Sequence, residues 1–190
     1  MGSAHHGLDP RSELVLDTHE LGRRPGISRH VQTTAPAPTG LGLDVIGVPP
    51  ESEIDLDVRL ESVVEGVLVT GTAVVQLRGE CVRCLGEVSR ELTVDLQELY
   101  VYPGSEAEAD EASRLQNDLV DLEPLLRDQV VLDLPFRPLC RDDCEGLCAT
   151  CGANLNDDPD HGHDAPVDPR WAALAELTGD GAEQERSTDS

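Results

Sequence analysis

Six cysteines in two clusters constrain this chain more than any other feature, because thiols that share a metal ion join stretches far apart in sequence. Cys81 and Cys84 form an isolated Cys-x-x-Cys pair, whereas Cys140, Cys144, Cys148 and Cys151 crowd into one short segment ending at Gly152. Two Cys-x-x-Cys pairs, each with a glycine close behind (Gly86 and Gly152), are the donor set of a tetrahedral structural zinc. The first expectation is therefore a clasp of Cys81, Cys84, Cys148 and Cys151. Cys140 and Cys144 are the alternates, completing a site with Cys81 and Cys84, and an all-local site from the four late cysteines is a third arrangement. His161 and His163 stand in a Pro- and Asp-rich loop where exposed histidines are common, so they read as loop residues rather than ligands. Six unmetallated cysteines would pack as small apolar groups, which does not account for their clustering.

Charge narrows what such a clasp can serve. The chain of 190 residues carries 38 acidic against 14 basic residues, every basic one an arginine, for a formal charge of -24. General affinity for a phosphate backbone needs a large basic surface and is disfavoured for the molecule as a whole. Tyr100, Tyr102, Phe136 and Trp171 are the whole aromatic complement, too few for a run of base-stacking platforms. Solubility explains the acidity by itself, and a basic partner protein suits it better than nucleic acid does. No apolar run reaches the length of a membrane span and no signal-peptide pattern opens the chain, so a cytoplasmic protein is expected. In that reducing compartment cysteines serve metals more readily than disulfides.

The middle of the chain reads as strands. Ile54, Leu56, Val58 and Leu60 alternate with Asp55, Asp57, Arg59 and Glu61, the period of a strand with one buried face. After a turn at Glu65-Gly66, Val67, Val69, Gly71, Ala73, Val75 and Leu77 keep the odd positions. Past the first cysteine pair, Val88, Leu92, Val94 and Leu96 alternate with polar residues. Three consecutive antiparallel strands follow, with Cys81 and Cys84 at the tip of the second hairpin, where a tight turn aims both sulfurs at one centre and a nearby glycine supplies a positive φ.

The remaining segments are assigned around this sheet. Residues 1–12 are left out of the fold, and Leu14 to Leu16 suggest a short first strand. The stretch from Gly22 to Gly40 reads as turns with no core. The sheet core is expected over about 41–102 and an acidic loop over 104–118. A helix over about 121–133 has Asp121 as cap, Pro124 in the first turn and Leu122, Leu125, Leu126 and Val130 on one face. Pro135 and Pro138 end it and lead into the cysteine cluster at 140–151. A short helix at 169–178, opened by Asp168-Pro169, precedes a polar tail at 179–190. The expected class is α+β: an antiparallel sheet core with one or two covering helices and a zinc-knuckle-like cysteine cluster, in one domain spanning 13–178.

Several segments carry a resemblance. Leu41-Gly-Leu-Asp-Val-Ile46, the run from Leu60 to Val69, Gly79-Glu-Cys-Val-Arg-Cys84, Leu134-Pro-Phe-Arg-Pro-Leu-Cys140, Gly146-Leu-Cys-Ala-Thr-Cys-Gly-Ala-Asn-Leu-Asn156 and Asp168-Pro-Arg170 resemble the YceD family, whose members are called large ribosomal RNA subunit accumulation proteins. The cysteine segments are the most specific part, since they come with fixed flanks. The resemblance implies a bacterial or plastid-type ribosome biogenesis factor needed for normal levels of large-subunit ribosomal RNA. It brings no catalytic residues.

Four thiolates close a zinc shell, leaving no open position to activate water, so the expected Zn2+ is structural and the protein non-enzymatic. A thiol-disulfide oxidoreductase is the rival, because Arg83 inside Cys-x-x-Cys would lower a thiol pKa; the helix start that such motifs use is missing. Arg78, Arg83, Arg137 and Arg141 flank the cysteines and are the candidate contacts for ribosomal RNA phosphates. The plainer reading pairs them with Glu80, Glu87, Asp142 and Asp143. Expected partners are thus ribosomal RNA or a pre-large-subunit particle, or a basic ribosomal protein held by the acidic faces. Neither a membrane nor a small-molecule substrate is expected.

Overall fold

The alternating segments do pair as antiparallel strands. A computed structural model of the chain describes residues 8–104 and 113–163. Its centre is a long hairpin, β6 (Gly66–Glu80) against β7 (Glu87–Val101), in unbroken register from Gly66↔Val101 to Glu80↔Glu87. β5 (Glu53–Ser62) pairs along the other edge of β6, from Asp55↔Val74 to Ser62↔Val67. This register puts Leu56 beside Ala73 and Leu60 beside Val69, so the apolar sets of neighbouring strands share one face. Ile54, Leu56, Val58 and Leu60 are buried while Asp55, Asp57 and Arg59 face out. Each such aliphatic burial contributes about 1.5–3 kcal/mol. Gly71 lies where a Cβ would run into the Asp57 carbonyl, so only glycine permits this approach of β5 to β6.

The segment from Gly22 to Gly40, expected as turns, holds a strand. β2 (Ser28–Pro36) pairs with β5 from Ser28↔Glu61 to Pro36↔Glu53 and forms one edge of the sheet. Of its residues only Ala35 is buried, so backbone hydrogen bonds hold it and no hydropathy alternation betrays it. On the exposed face Gln32 donates to the Asp57 carboxylate, which also meets His30; the Gln32 bond, then the His30 one, hold that carboxyl below its usual range. Two short strands, β3 (Gly42–Leu43) and β4 (Ile46–Gly47), extend the sheet where β5 stops, with Ile46 opposite Gly79 and Gly47 opposite Arg78.

The first strand, β1 (Val15–Asp17), falls one residue later than expected and pairs with β8 (Leu119–Asp121). Helix α1 (Glu123–Asp133) follows with Leu122, not the expected Asp121, at its N-cap position; the Asp121 carboxylate accepts the Glu123 N–H at 3.0 Å from just outside the helix. Leu125, Leu126 and Val130 are buried as α1 packs on β7 and β3. Pro135 sets Leu134 into extended backbone and ends the helix. In the expected acidic loop, Leu115 is buried and Val101 bridges to Arg114, so its second half is fixed to the sheet.

The structure thus has the α+β class and the gathered cysteines that the sequence implies. Where one domain was expected over 13–178, the chain divides into two compact units between Gly146 and Leu147. The first holds every described strand and α1. The described part of the second is a small loop structure with an isolated bridge, Leu147↔Asn154. The expected helix at 169–178, with Trp171, and the tail at 179–190 lie outside the described residues. No described helix is long and apolar enough to cross a membrane.

Candidate metal centre

The β6–β7 hairpin ends in a tight knuckle. The Cys81 N–H donates to the Gly86 carbonyl at 2.8 Å, and the Leu85 N–H returns a bond to the Cys81 carbonyl at 2.9 Å. Both sulfurs of Cys-x-x-Cys are thereby turned to the inside of the loop. The left-handed residue that this turn needs is Leu85, at φ 58°, and not Gly86 as the sequence suggested. Beyond α1, the chain is brought to this tip by the Pro138 carbonyl, which accepts the Val82 N–H at 2.9 Å. The Arg83 guanidinium donates to the Cys144 carbonyl at 2.7 Å, and Gly146 passes so close to Arg83 that a Cβ would sit 3.1 Å from its carbonyl. With φ 85° at Gly146, glycine serves both demands.

These contacts assemble four thiols inside the first unit. Cys81, Cys84, Cys140 and Cys144 have sulfurs all within 4.8 Å of one another, and none of the six cysteines is disulfide-bonded. The Cys81–Cys144 sulfur separation is 3.8 Å and the Cys84–Cys140 separation 3.6 Å. Zinc–thiolate bonds of about 2.3 Å in a tetrahedron require sulfurs about 3.8 Å apart. Both separations lie within about 0.2 Å of that edge, so the donor set suits a four-thiolate zinc. Cys81 and Cys144 are buried, Cys84 half-buried and Cys140 exposed.

The thiols also differ in how readily they ionise. Burial raises the Cys81 pKa, but backbone hydrogen bonds at Cys84, Cys140 and Arg83 outweigh it and hold the thiol at about 6. Cys140 is pushed up to about 12, first by its contact with the Cys84 thiol and then by burial and the other cysteines. Cys84 is raised as well: the Gly86 backbone lowers it, but burial and the Cys144 and Cys81 thiols prevail. Gathered thiols behave this way because the first negative charge makes each further one more costly. A dication at the centre removes that conflict.

The clasp expected from Cys81, Cys84, Cys148 and Cys151 is not the grouping that the structure brings together. Cys81 and Cys84 meet the alternates Cys140 and Cys144, whereas Cys148 and Cys151 gather with His161 and His163 inside the second unit. Sequence reasoning matched like with like, two Cys-x-x-Cys knuckles, and ranked the Cys-x-x-x-Cys pair Cys140 and Cys144 second. The second knuckle repeats the hydrogen bonds of the first: Cys148 N–H to the Ala153 carbonyl and Gly152 N–H to the Cys148 carbonyl, both 2.8 Å, with Gly152 at φ 75°. Cys151 and Thr150 backbone bonds lower the Cys148 thiol to about 6.

The arginines are disposed unevenly. Arg83 is engaged with the Cys144 carbonyl, and Arg141 pairs with Asp143 at 3.3 Å. Arg78 is exposed in β6 opposite Ser89, and Arg137 is exposed between Pro135 and Pro138. The Arg141–Asp143 pair follows the plainer sequence reading.

Comparison with known proteins places this architecture. The family model described as large ribosomal RNA subunit accumulation protein YceD matches residues 69–178. The chain belongs to the YceD family. An uncharacterized protein of Mycobacterium tuberculosis is 45% identical over 172 residues, covering 88% of this chain and 83% of the relative. A maize protein, large ribosomal RNA subunit accumulation protein YCED homolog 1, chloroplastic, is 43% identical over 37 residues, 20% of this chain and 13% of its own. YlbN of Bacillus subtilis is 25% identical over 99 residues, 51% of this chain and 58% of its own. No solved structure matches. The YceD match takes in most of β6, all of β7 and α1, the four arginines and every cysteine and histidine of the two clusters.

Proposed function

We propose that this protein is a non-enzymatic cytoplasmic factor that promotes accumulation of large-subunit ribosomal RNA during ribosome biogenesis, and that Cys81, Cys84, Cys140 and Cys144 hold a structural Zn2+. The observation that carries the ribosomal reading is membership of a family described by that role, over a match that spans both cysteine clusters. The zinc reading rests on sulfur separations of 3.6 and 3.8 Å among four thiols. Such an ion fixes the sheet tip to the segment after α1 and offers no open position for substrate. Burial of Cys81 at a hairpin turn also speaks against a redox role, which needs an accessible thiolate.

The partner is a pre-large-subunit particle. Within it, the charge of -24 and the internal engagement of Arg83 and Arg141 favour a basic ribosomal protein as the surface touched. RNA contact through Arg78 and Arg137 is the second reading, favoured by their exposure beside the knuckle. Depletion of the protein in its own cells should lower the ratio of large- to small-subunit ribosomal RNA, and wild-type protein should restore it. An unchanged ratio overturns the ribosomal reading. Arg78→Ala with Arg137→Ala separates the partners: loss of restoration with zinc retained assigns RNA, and full restoration assigns protein.

A further inference from the structure

The described part of the second unit, residues 147–163, poses a folding problem that the side chains described there do not solve. Among the described residues of this unit, 147–163, not one is buried, and no helix or strand is present beyond the single bridge Leu147↔Asn154. A segment without a core needs a staple, and small folds of this kind use disulfides or a metal. Its two cysteines are not bonded to each other or to any other thiol.

What the segment does have is four ligand atoms facing one point. Cys148 Sγ, Cys151 Sγ and one nitrogen each of His161 and His163 all lie within 4.8 Å of one another. Cys151 Sγ is 3.2 Å from His161 Nε2 and 3.2 Å from His163 Nε2, and the two Nε2 atoms are 2.9 Å apart. A tetrahedral zinc with bonds of about 2.3 Å to sulfur and about 2.0–2.1 Å to nitrogen requires edges of about 3.5 Å and about 3.3 Å, so the triangle of Cys151 Sγ and the two Nε2 atoms needs only a few tenths of an ångström of expansion, with Cys148 Sγ within 4.8 Å of each. The imidazoles stand edge to face, interplanar angle 82°, which lets both nitrogens converge. His161 is further oriented from behind, with its Nδ1 3.7 Å from the Asp158 carboxylate in a turn closed by the His161 N–H to the Asp158 carbonyl. Metal-binding histidines commonly have a carboxylate behind the outer nitrogen, and at 3.7 Å Asp158 is an electrostatic neighbour of Nδ1 rather than a hydrogen-bond acceptor.

We propose that Cys148, Cys151, His161 and His163 form a second zinc site, distinct from the four-thiol centre, and that its ion is what folds residues 147–163. Two thiolates and two neutral imidazoles exactly balance Zn2+ in charge, whereas four thiolates leave the first centre at about -2. With Cys151 and His163 exposed, this second ion exchanges with solution more readily than the first. The proposal is independent of the ribosomal reading.

Native mass spectrometry of the full chain, with Co2+ absorption spectra and amide exchange, tests it. Wild type should carry two zinc ions, and His161→Ala with His163→Ala should carry one, lose protection over 148–153 and keep the all-thiolate cobalt spectrum of the first centre. His161→Cys with His163→Cys should regain the second ion and shift its spectrum to the all-thiolate form. Two ions in the alanine variant, or a wild-type ion count of one that the alanine variant leaves unchanged, overturns the second site. A single wild-type ion that the alanine variant loses would instead remove the four-thiol centre and leave this one standing.

Discussion

The two knuckles, 81–86 and 148–153, have the same backbone and opposite surroundings. Each closes with the first cysteine's N–H on the carbonyl five residues on and with a returned bond from a left-handed residue, Leu85 in one and Gly152 in the other. The first is the tip of a fifteen-residue strand pair anchored in the hydrophobic core, with Cys81 and Cys144 themselves part of that core. The second stands on one bridge and has no buried residue among those described. One local motif therefore serves two purposes: the first ties a segment onto a sheet that folds around its own core, and the second gives order to a segment that has none.

The sharpest way to break this comparison is to remove one ligand from each side. Cys81→Ser should abolish zinc at the first centre and loosen the sheet tip together with the segment from Pro138 to Gly146, whereas Cys151→Ser should leave unit one intact. Structural zinc is worth on the order of 10 kcal/mol of folding free energy, so the first substitution should be visible in thermal unfolding of the whole unit. Equal effects of both on the melting of the sheet would end the distinction.

A core substitution probes the same boundary from the other side. Leu126 is fully buried in α1, and Leu126→Ala should cost about 2–5 kcal/mol in denaturant unfolding. Amide protection over 148–153 should not change. Smaller again is Arg83→Ala, which removes the charged donor on the Cys144 carbonyl and should cost about 1.5 kcal/mol. Transfer of zinc to a chelator should accelerate at the first centre only.

The smallest expected effects exchange the left-handed residues. Leu85→Gly relieves a strained φ of 58° and should stabilise the first knuckle by up to about 1 kcal/mol. Gly152→Ala meets no atom within 4 Å, so its cost of about 1 kcal/mol is conformational alone. Opposite signs in the two variants, read from thermal unfolding and from zinc affinity respectively, would sharpen the view that both knuckles use one backbone.

Legibility in the sequence followed the physics of each element. The strands from Ile54 to Leu96 were legible because one face is buried and the side chains alternate across it. Helix α1 was legible from its proline and its apolar spacing, although Leu122 and not Asp121 stands at its N-cap. The edge strand β2 was not, because it buries one alanine and is recruited by the free backbone edge of β5. The histidines were not, because His161-Gly-His163 after Cys-x-x-Cys has the composition of an ordinary polar loop until the turn at Asp158 folds them back.

By itself the sequence determined which residues are able to ligate, which strands alternate and where the hairpin must turn, since these depend on residue chemistry and on periods of a few residues. Tertiary structure alone decided which thiols meet. The sulfurs of Cys81 and Cys144 come to 3.8 Å because α1 packs on β7 and Pro138 bonds to Val82, contacts between segments more than twenty residues apart that no local pattern encodes.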